Sequence, residues 1–120
     1  MAKVESTHAA GQTGEHLARA YLEHRGLEIV ETNYRFGRGE IDIIAREGEY
    51  LVFCEVKMRT TDEYGPPELA VTRRKRQQVR RLAQGYLAER RIVDQACRFD
   101  VVAIVMKGGL PQIEYFPNAF

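Results

Sequence analysis

Two acids and a lysine stand out for their chemistry in the stretch Gly39 to Lys57, which reads G-E-I-D-I-I-A-R-E-G-E-Y-L-V-F-C-E-V-K. Two apolar runs flank Glu47-Gly48, and a two-residue loop ending in glycine is a strong hairpin signal. With that pair as the loop, Arg46 is expected opposite Glu49, Ile44 opposite Leu51, Asp42 opposite Phe53 and Glu40 opposite Glu55. Side chains alternate along a strand, so Glu40, Asp42, Glu55 and Lys57 should share one face. Diagonal neighbours lie about 7–8 Å apart, close enough for Asp42 and Glu55 to converge on one point. Like charges set among Ile41, Ile43, Val52 and Val56 repel and are costly to desolvate, so something positive is expected between them. Lys57 supplies one charge, and a hard divalent cation with oxygen ligands would supply the rest. The simpler structural explanation, Glu55 and Lys57 pairing on a surface hairpin, would suffice for an isolated E-x-K.

The elements that must position this face are readable from periodicity. A first helix starts between Thr7 and Thr13 and ends at His24, with Leu17, Ala18, Tyr21 and Leu22 at helical spacing and Gly26 as its C-cap. Glu15 falls on the border of that helix's buried stripe, where it either reaches the sheet or is a solvated acid favourable with the helix dipole. His8, His16 and His24, eight residues apart, are rotated away from one another and make poor metal ligands. Leu27 to Phe36 reads as a strand, turning at N-Y-R-F-G-R-G into the hairpin. Arg35 and Arg38 near that turn are candidate phosphate contacts. After Lys57, M-R-T-T-D-E-Y-G-P-P-E-L has no periodicity, and it is placed to be either a flap over the acidic face or a plain connector.

A second helix, about Thr72 to Arg91, carries Val79, Leu82, Ala83, Tyr86 and Leu87 on one face. Gly85 within it lowers helix propensity and is expected to allow close packing on the sheet. Arg98 to Met106 is a nearly continuous apolar strand, expected to be central; Asp100 within it is either a structural charge paired to an arginine, the favoured reading, or an acid at the strand's polar end near the site. Gln112 to Phe116 follows as a short edge strand. The order α-β-β-β-α-β-β gives an α/β fold: a mixed sheet of about five strands flanked by helices.

Composition narrows the function classes. At 120 residues the chain suits one domain, residues 1–120, with a real core. No apolar run approaches the roughly 20 residues that span a bilayer, and M-A-K-V-E-S-T-H has no apolar signal core, so a cytoplasmic protein without membrane contact is expected. Cys54 and Cys97 lack zinc spacing and read as small buried hydrophobes. The net charge of +1 hides an asymmetry. Arg73, Arg74, Lys75, Arg76, Arg80, Arg81, Arg90 and Arg91 oppose only Glu89, a local balance of +7 that leaves the remainder at −6. Such a run has no i,i+4 salt-bridge explanation, and Arg73, Arg74, Lys75, Arg76, Arg80 and Arg81 are candidate contacts to a polyanion such as DNA.

G-E at Gly14-Glu15, N-Y-R at Asn33 to Arg35, G-E-I-D-I-I, F-C-E-V-K, the A-V-T-x-x-K stretch at Ala70 to Lys75, and R-F-D-V-V at Arg98 to Val102 carry a resemblance to the YraN family of small bacterial proteins. That family is similar to the PD-(D/E)xK nucleases, particularly the archaeal Holliday junction resolvases, and is described as predicted endonucleases of undemonstrated activity. The resemblance implies a restriction-endonuclease-like sheet. It implies that Asp42 and Glu55 are the two motif acids, Lys57 the motif lysine, and Glu15 the helix-borne glutamate of the resolvase-like branch. Ile41 stands where the superfamily's name has proline, and Glu40 matches no fixed superfamily role.

The activity so implied is hydrolysis of phosphodiester bonds in DNA, with branched or junction DNA as one candidate substrate. Mg²⁺ or Mn²⁺ would be held by Asp42, Glu55 and the Val56 carbonyl, with Glu40 as a candidate fourth ligand. Lys57 would orient water or stabilise the charged transition state, and Glu15 would act through the outer shell. A homodimer is suggested by analogy with resolvases, which act on two-fold substrates. The competing expectation is a non-catalytic nucleic-acid-binding or scaffold protein that retains the nuclease fold.

Overall fold

The computed structural model describes residues 7–59 and 71–120, with only the backbone described for residues 7–12 and 59. Its elements run α1 (Thr7–His24), β1 (Glu28–Phe36), β2 (Gly39–Glu47), β3 (Tyr50–Arg59), α2 (Arg73–Glu89), β4 (Cys97–Lys107) and β5 (Leu110–Phe116), the expected order. The strands form one five-stranded sheet in the order β1-β2-β3-β4-β5. β3 and β4 are parallel, joined through α2, and the other neighbours are antiparallel. The stretch read as flap or connector lies, beyond Arg59, outside the described residues.

Alternation along β2 and β3 builds two cores. Ile43, Ala45, Val52 and Cys54 pack with Ala18 and Leu22 of α1, while Ile44, Leu51 and Phe53 pack with Val79, Leu82, Ala83 and Tyr86 of α2. The two helices therefore cover opposite faces, which is why the central strands read as almost unbroken apolar runs. β4 is covered on both sides from Val101 to Val105, and β5 is an edge strand, both as expected.

The hairpin differs from the expected register. Glu47 pairs with Tyr50 and Ile44 with Phe53, so the loop is Gly48-Glu49 and each partner shifts by two residues. Gly48, at φ 59, is the first loop residue and the only one of the two with positive φ, the arrangement of a II′ turn. A two-residue shift preserves the faces and, continued past the last pair, brings Asp42 opposite Glu55 rather than Phe53.

Two glycines exchange roles with the expectation. A Cβ at Gly85 would meet nothing within 4 Å, so that glycine does not mediate close packing. At Gly39 a Cβ would sit 2.7 Å from Leu82 Cδ1, and it is here that α2 presses onto the sheet. On the other face, a Cβ at Gly14 would lie 3.0 Å from Met58 Sδ, so the middle of α1 closes on β3 beside Glu15. Cys54 is fully buried as expected, but Cys97 is only half-buried because it opens β4 at the sheet margin.

Candidate functional site: a cleft of carboxylates and lysines

Alternation along β2 fails at one place. Ile41 and Ile44 both face the α2 core although they are three residues apart, while Ile43 between them faces α1. The β2–β3 ladder ends at Ile43–Cys54, and beyond it the backbone N–H of Val56 donates to Asp42 Oδ2 at 2.8 Å. On the β1 side, Asn33 lies opposite Asp42 between the pairs Thr32–Ile43 and Tyr34–Ile41, and its φ is 55. A left-handed residue inside a strand is uncommon and asparagine tolerates it best, so the distortion sits where the acid must turn out of the ladder.

The consequence is a cleft of about 400 Å³ lined by Asp42 of β2, Glu55, Val56 and Lys57 of β3, and Val71, Thr72 and Lys75 at the start of α2. The structure thus brings Asp42, Glu55 and Lys57 to one opening. Glu55 is 5 % exposed. Its Oε1 faces Lys75 Nζ at 3.4 Å, and its buried Oε2 has no hydrogen-bond partner among the described residues. Burial first, and then the charge of Asp42, pushes the Glu55 carboxyl up to about 8. Burial also raises Asp42, against the lowering effect of the Val56 N–H, with Glu40 adding repulsion and Lys75 and Lys57 relieving it.

The remaining expected residues are placed differently. Because Ile41 and Gly39 face α2, Glu40 points to the opposite side, where it ion-pairs with Arg35 at 3.3 Å. Neither lines the cleft: the interrupted alternation removes Glu40 from the face it was expected to share with Asp42, and Arg35 is occupied. Arg38 is exposed in the β1–β2 turn. Glu15 opens onto a neighbouring pocket of about 270 Å³ with His16, Arg19, Thr32 and Asn33. Its carboxyl is raised by burial and then by the charge of Asp42, and lowered by a hydrogen bond from the Asn33 side chain. It therefore senses the cleft without lining it.

The basic helix divides. Arg76 donates through Nε to the Val71 carbonyl at 3.0 Å and stacks over Phe120. Arg80 stacks over Phe99 and Phe120, with its guanidinium carbon 4.8 Å from the Phe99 centroid. Arg90 pairs with Glu31 and Glu89. Arg73, Arg74 and Arg81 are exposed. Lys75, expected on the polyanion face, belongs to the cleft. Its chemistry was legible as a cation, but its position depends on the packing of α2 against β3, which no local pattern encodes. Asn33 and Thr72 were missed as site residues for the same reason.

Two carboxylates fit a divalent cation. The unpartnered Glu55 oxygen and the mutual repulsion of Glu55 and Asp42 are relieved by positive charge, and Mg²⁺ is commonly held by one or two carboxylates while keeping several waters. Among the described residues no cluster of three or more His, Cys, Asp or Glu side chains is arranged to hold a metal, so water or a substrate phosphate would complete the shell.

Fold and site together define an α/β protein whose central strands distort to present two crowded acids and two lysines at one opening. The Uncharacterised protein family UPF0102 matches residues 14–104, and the chain belongs to that family. Similar proteins include the UPF0102 protein of Geobacter metallireducens, 51 % identical with 92 % of this chain and 90 % of the relative covered. That of Acetivibrio thermocellus is 48 % identical with 93 % and 91 % covered, and that of Syntrophus aciditrophicus 46 % identical with 92 % and 87 % covered. The relatives' names state no activity. Among the described residues no helix is long and apolar enough to cross a membrane.

Proposed function

We propose that this protein is a divalent-metal-dependent nuclease that hydrolyses phosphodiester bonds in DNA, with branched or junction DNA among its substrates. The observation that carries the reading is the buried Glu55 carboxylate, half unpartnered and crowded by Asp42 at the mouth of a cleft. A structural acid that deeply buried would have its oxygens satisfied; one left crowded and open suits a cation that arrives with a substrate.

In this reading Asp42 and Glu55 hold Mg²⁺ or Mn²⁺, with the Val56 carbonyl completing the protein's share. The bound ion supplies Lewis-acid polarisation of a phosphoryl oxygen and acidifies water at neutral pH. Asp42 is pre-oriented for the task because Oδ2 is fixed by the Val56 N–H while the residue lines the opening. Lys57, on the rim, places an ammonium against the charge that builds on the phosphoryl group. Glu15, hydrogen-bonded to the Asn33 side chain, adds negative charge beside Asp42 from α1, and in this reading it acts on the bound ion through the outer shell. The start of α2, with Thr72 and Lys75 lining the cleft and Arg73 and Arg74 exposed, adds positive potential where a phosphate backbone would pass.

A non-catalytic nucleic-acid-binding or scaffold role is favoured by one observation: Lys75 already partners Glu55. The test separates the two. Purified protein is incubated with branched, flapped, single-stranded and duplex DNA in Mg²⁺ and in Mn²⁺, beside Asp42→Ala and Lys57→Ala. Cleavage of at least one substrate, lost in both variants, is the expected result. All substrates equally intact with wild type and variants, in protein that still binds DNA, would establish the scaffold role instead.

A further inference from the structure

Lys75 stands in a position that ordinary helix energetics disfavours. α2 opens with Arg73, Arg74, Lys75 and Arg76 and has no acid in its first turn. Cations at a helix N-terminus oppose its dipole. The helix start is nevertheless well anchored, because Thr72 Oγ1 accepts the Lys75 N–H at 3.1 Å and Arg76 binds the Val71 carbonyl. These contacts fix the Lys75 backbone at the cleft wall and send its side chain, 38 % exposed, to Glu55. The charge that offsets the dipole lies across the cleft, on another element.

Lys57 differs, although it lines the same cleft. No ion pair to it is formed among the described residues, whereas Lys75 Nζ sits on Glu55 Oε1. One acid thus has one oxygen on an ammonium and the other without a partner among the described residues.

The geometry points to Lys75 as a resident cation that a divalent ion displaces from Glu55, after which the released ammonium, still tethered at the helix start, meets the phosphate of an incoming nucleic acid. This rests on the reading that Asp42 and Glu55 take a divalent ion. Its consequence is reciprocal: the ion strengthens polyanion binding, and the polyanion strengthens ion binding, through a single side chain. Lys75 is a positioning residue in the ion's absence and a phosphate ligand in its presence.

The experiment uses the full chain. Mg²⁺ is titrated calorimetrically into wild type, Lys75→Met, Lys75→Arg and Arg25→Met, the last an exposed cation just past α1. Binding of a labelled phosphorothioate oligonucleotide, which keeps its charge and resists hydrolysis, is then measured in EDTA and in Mg²⁺. Lys75→Met should bind Mg²⁺ about 5- to 10-fold more tightly and lose the gain in oligonucleotide affinity that Mg²⁺ gives wild type. Lys75→Arg should keep Mg²⁺ affinity near wild type, and Arg25→Met should change it less than about twofold. In ¹⁵N-lysine-labelled wild type, Mg²⁺ should move the Lys75 side-chain resonance, a readout that does not depend on any variant folding. A still resonance, or Lys75→Met indistinguishable from wild type, overturns the exchange while leaving the ion site intact. Wild type that binds no Mg²⁺ overturns the ion site itself.

Discussion

Two buried acids in this molecule live in opposite circumstances. Asp100 on β4 is completely enclosed, yet both its oxygens are occupied. Oδ1 accepts from Arg98 Nε at 3.0 Å and from the Asn118 N–H at 2.8 Å, and Oδ2 accepts from Arg98 Nη2 at 2.9 Å and from the Tyr115 hydroxyl. Arg98 is tied in turn to Glu47 at 2.8 Å, and the carboxylate contacts hold both Arg98 and Tyr115 well above their usual pKa ranges, with burial the larger cause for the tyrosine. Glu55 on the neighbouring strand has, among the described residues, one long ion pair and an oxygen without a hydrogen bond. Enclosure alone therefore does not mark a functional acid. The difference is satisfaction: a completed shell fastens β4 to β5 and the C-terminal segment, and an incomplete one waits for a partner.

The comparison is broken most directly at Asp100. Asp100→Ala leaves the Arg98 guanidinium enclosed without its main counter-charge, and breaking such a pair costs about 3–5 kcal/mol. Urea unfolding at pH 7 should show that loss, and Mg²⁺ affinity of whatever remains folded should match wild type. A loss below about 1 kcal/mol would mean that the completed shell is not what secures β5.

Glu55 should respond with the opposite sign. Its carboxyl titrates near 4.5 when unfolded and at about 8 when folded, so between those values the native state keeps a proton that the unfolded chain has released. The unfolded state then binds fewer protons, and stability falls as pH rises from about 4.5 to about 8. Below 4.5 the penalty is absent, and above 8 it is complete. Glu55→Gln removes this component, so in EDTA the variant should gain on wild type as pH rises, by roughly 1–3 kcal/mol at pH 8.5. Parallel stability curves for the two proteins from pH 4 to 9 would show that Glu55 is as well satisfied as Asp100.

Much of this contrast was legible in the residues, and the part that was not has a physical cause. Helical spacing in Leu17 to Leu22 and Val79 to Leu87, and the apolar run from Val101 to Val105, are local signals, and the elements lie where they predict. Asp100 as a structural charge partnered by an arginine was also readable, because Arg98 is two residues away on the same strand face. The hairpin loop was misplaced by one residue because either Glu47-Gly48 or Gly48-Glu49 puts glycine in a two-residue turn, and both registers set Leu51 and Phe53 against α2, so face alternation does not choose between them. Strict alternation placed Glu40 beside Asp42; the break opposite Asn33 has no local signature beyond the asparagine itself. Lys75 reached the site through tertiary packing, and a charge run cannot say which of its members turns inward.

Glu40 provides the finest test, because it is an acid of the same stretch that the fold has supplied with a partner. It pairs with Arg35 across β1 and β2, and that arginine side chain is 77 % exposed, so the pair contributes little to stability. Its remaining influence on the cleft is a charge that raises Asp42 and Glu15 from the side facing α1. Glu40→Gln should therefore shift stability by less than about 0.5 kcal/mol and Mg²⁺ affinity by less than about threefold. A ligand to the ion would behave otherwise, since losing one of three carboxylates from a small hard cation removes a direct bond rather than a distant field. Calorimetry with Glu40→Gln beside Asp42→Asn decides between them. A comparable loss in both would place Glu40 in the coordination shell and mean that its contact with Arg35 gives way when the ion binds. Loss in Asp42→Asn alone would leave the ion to the two acids that the distorted strand brings to the opening, and would confine the functional acids to those whose shells the protein itself leaves incomplete.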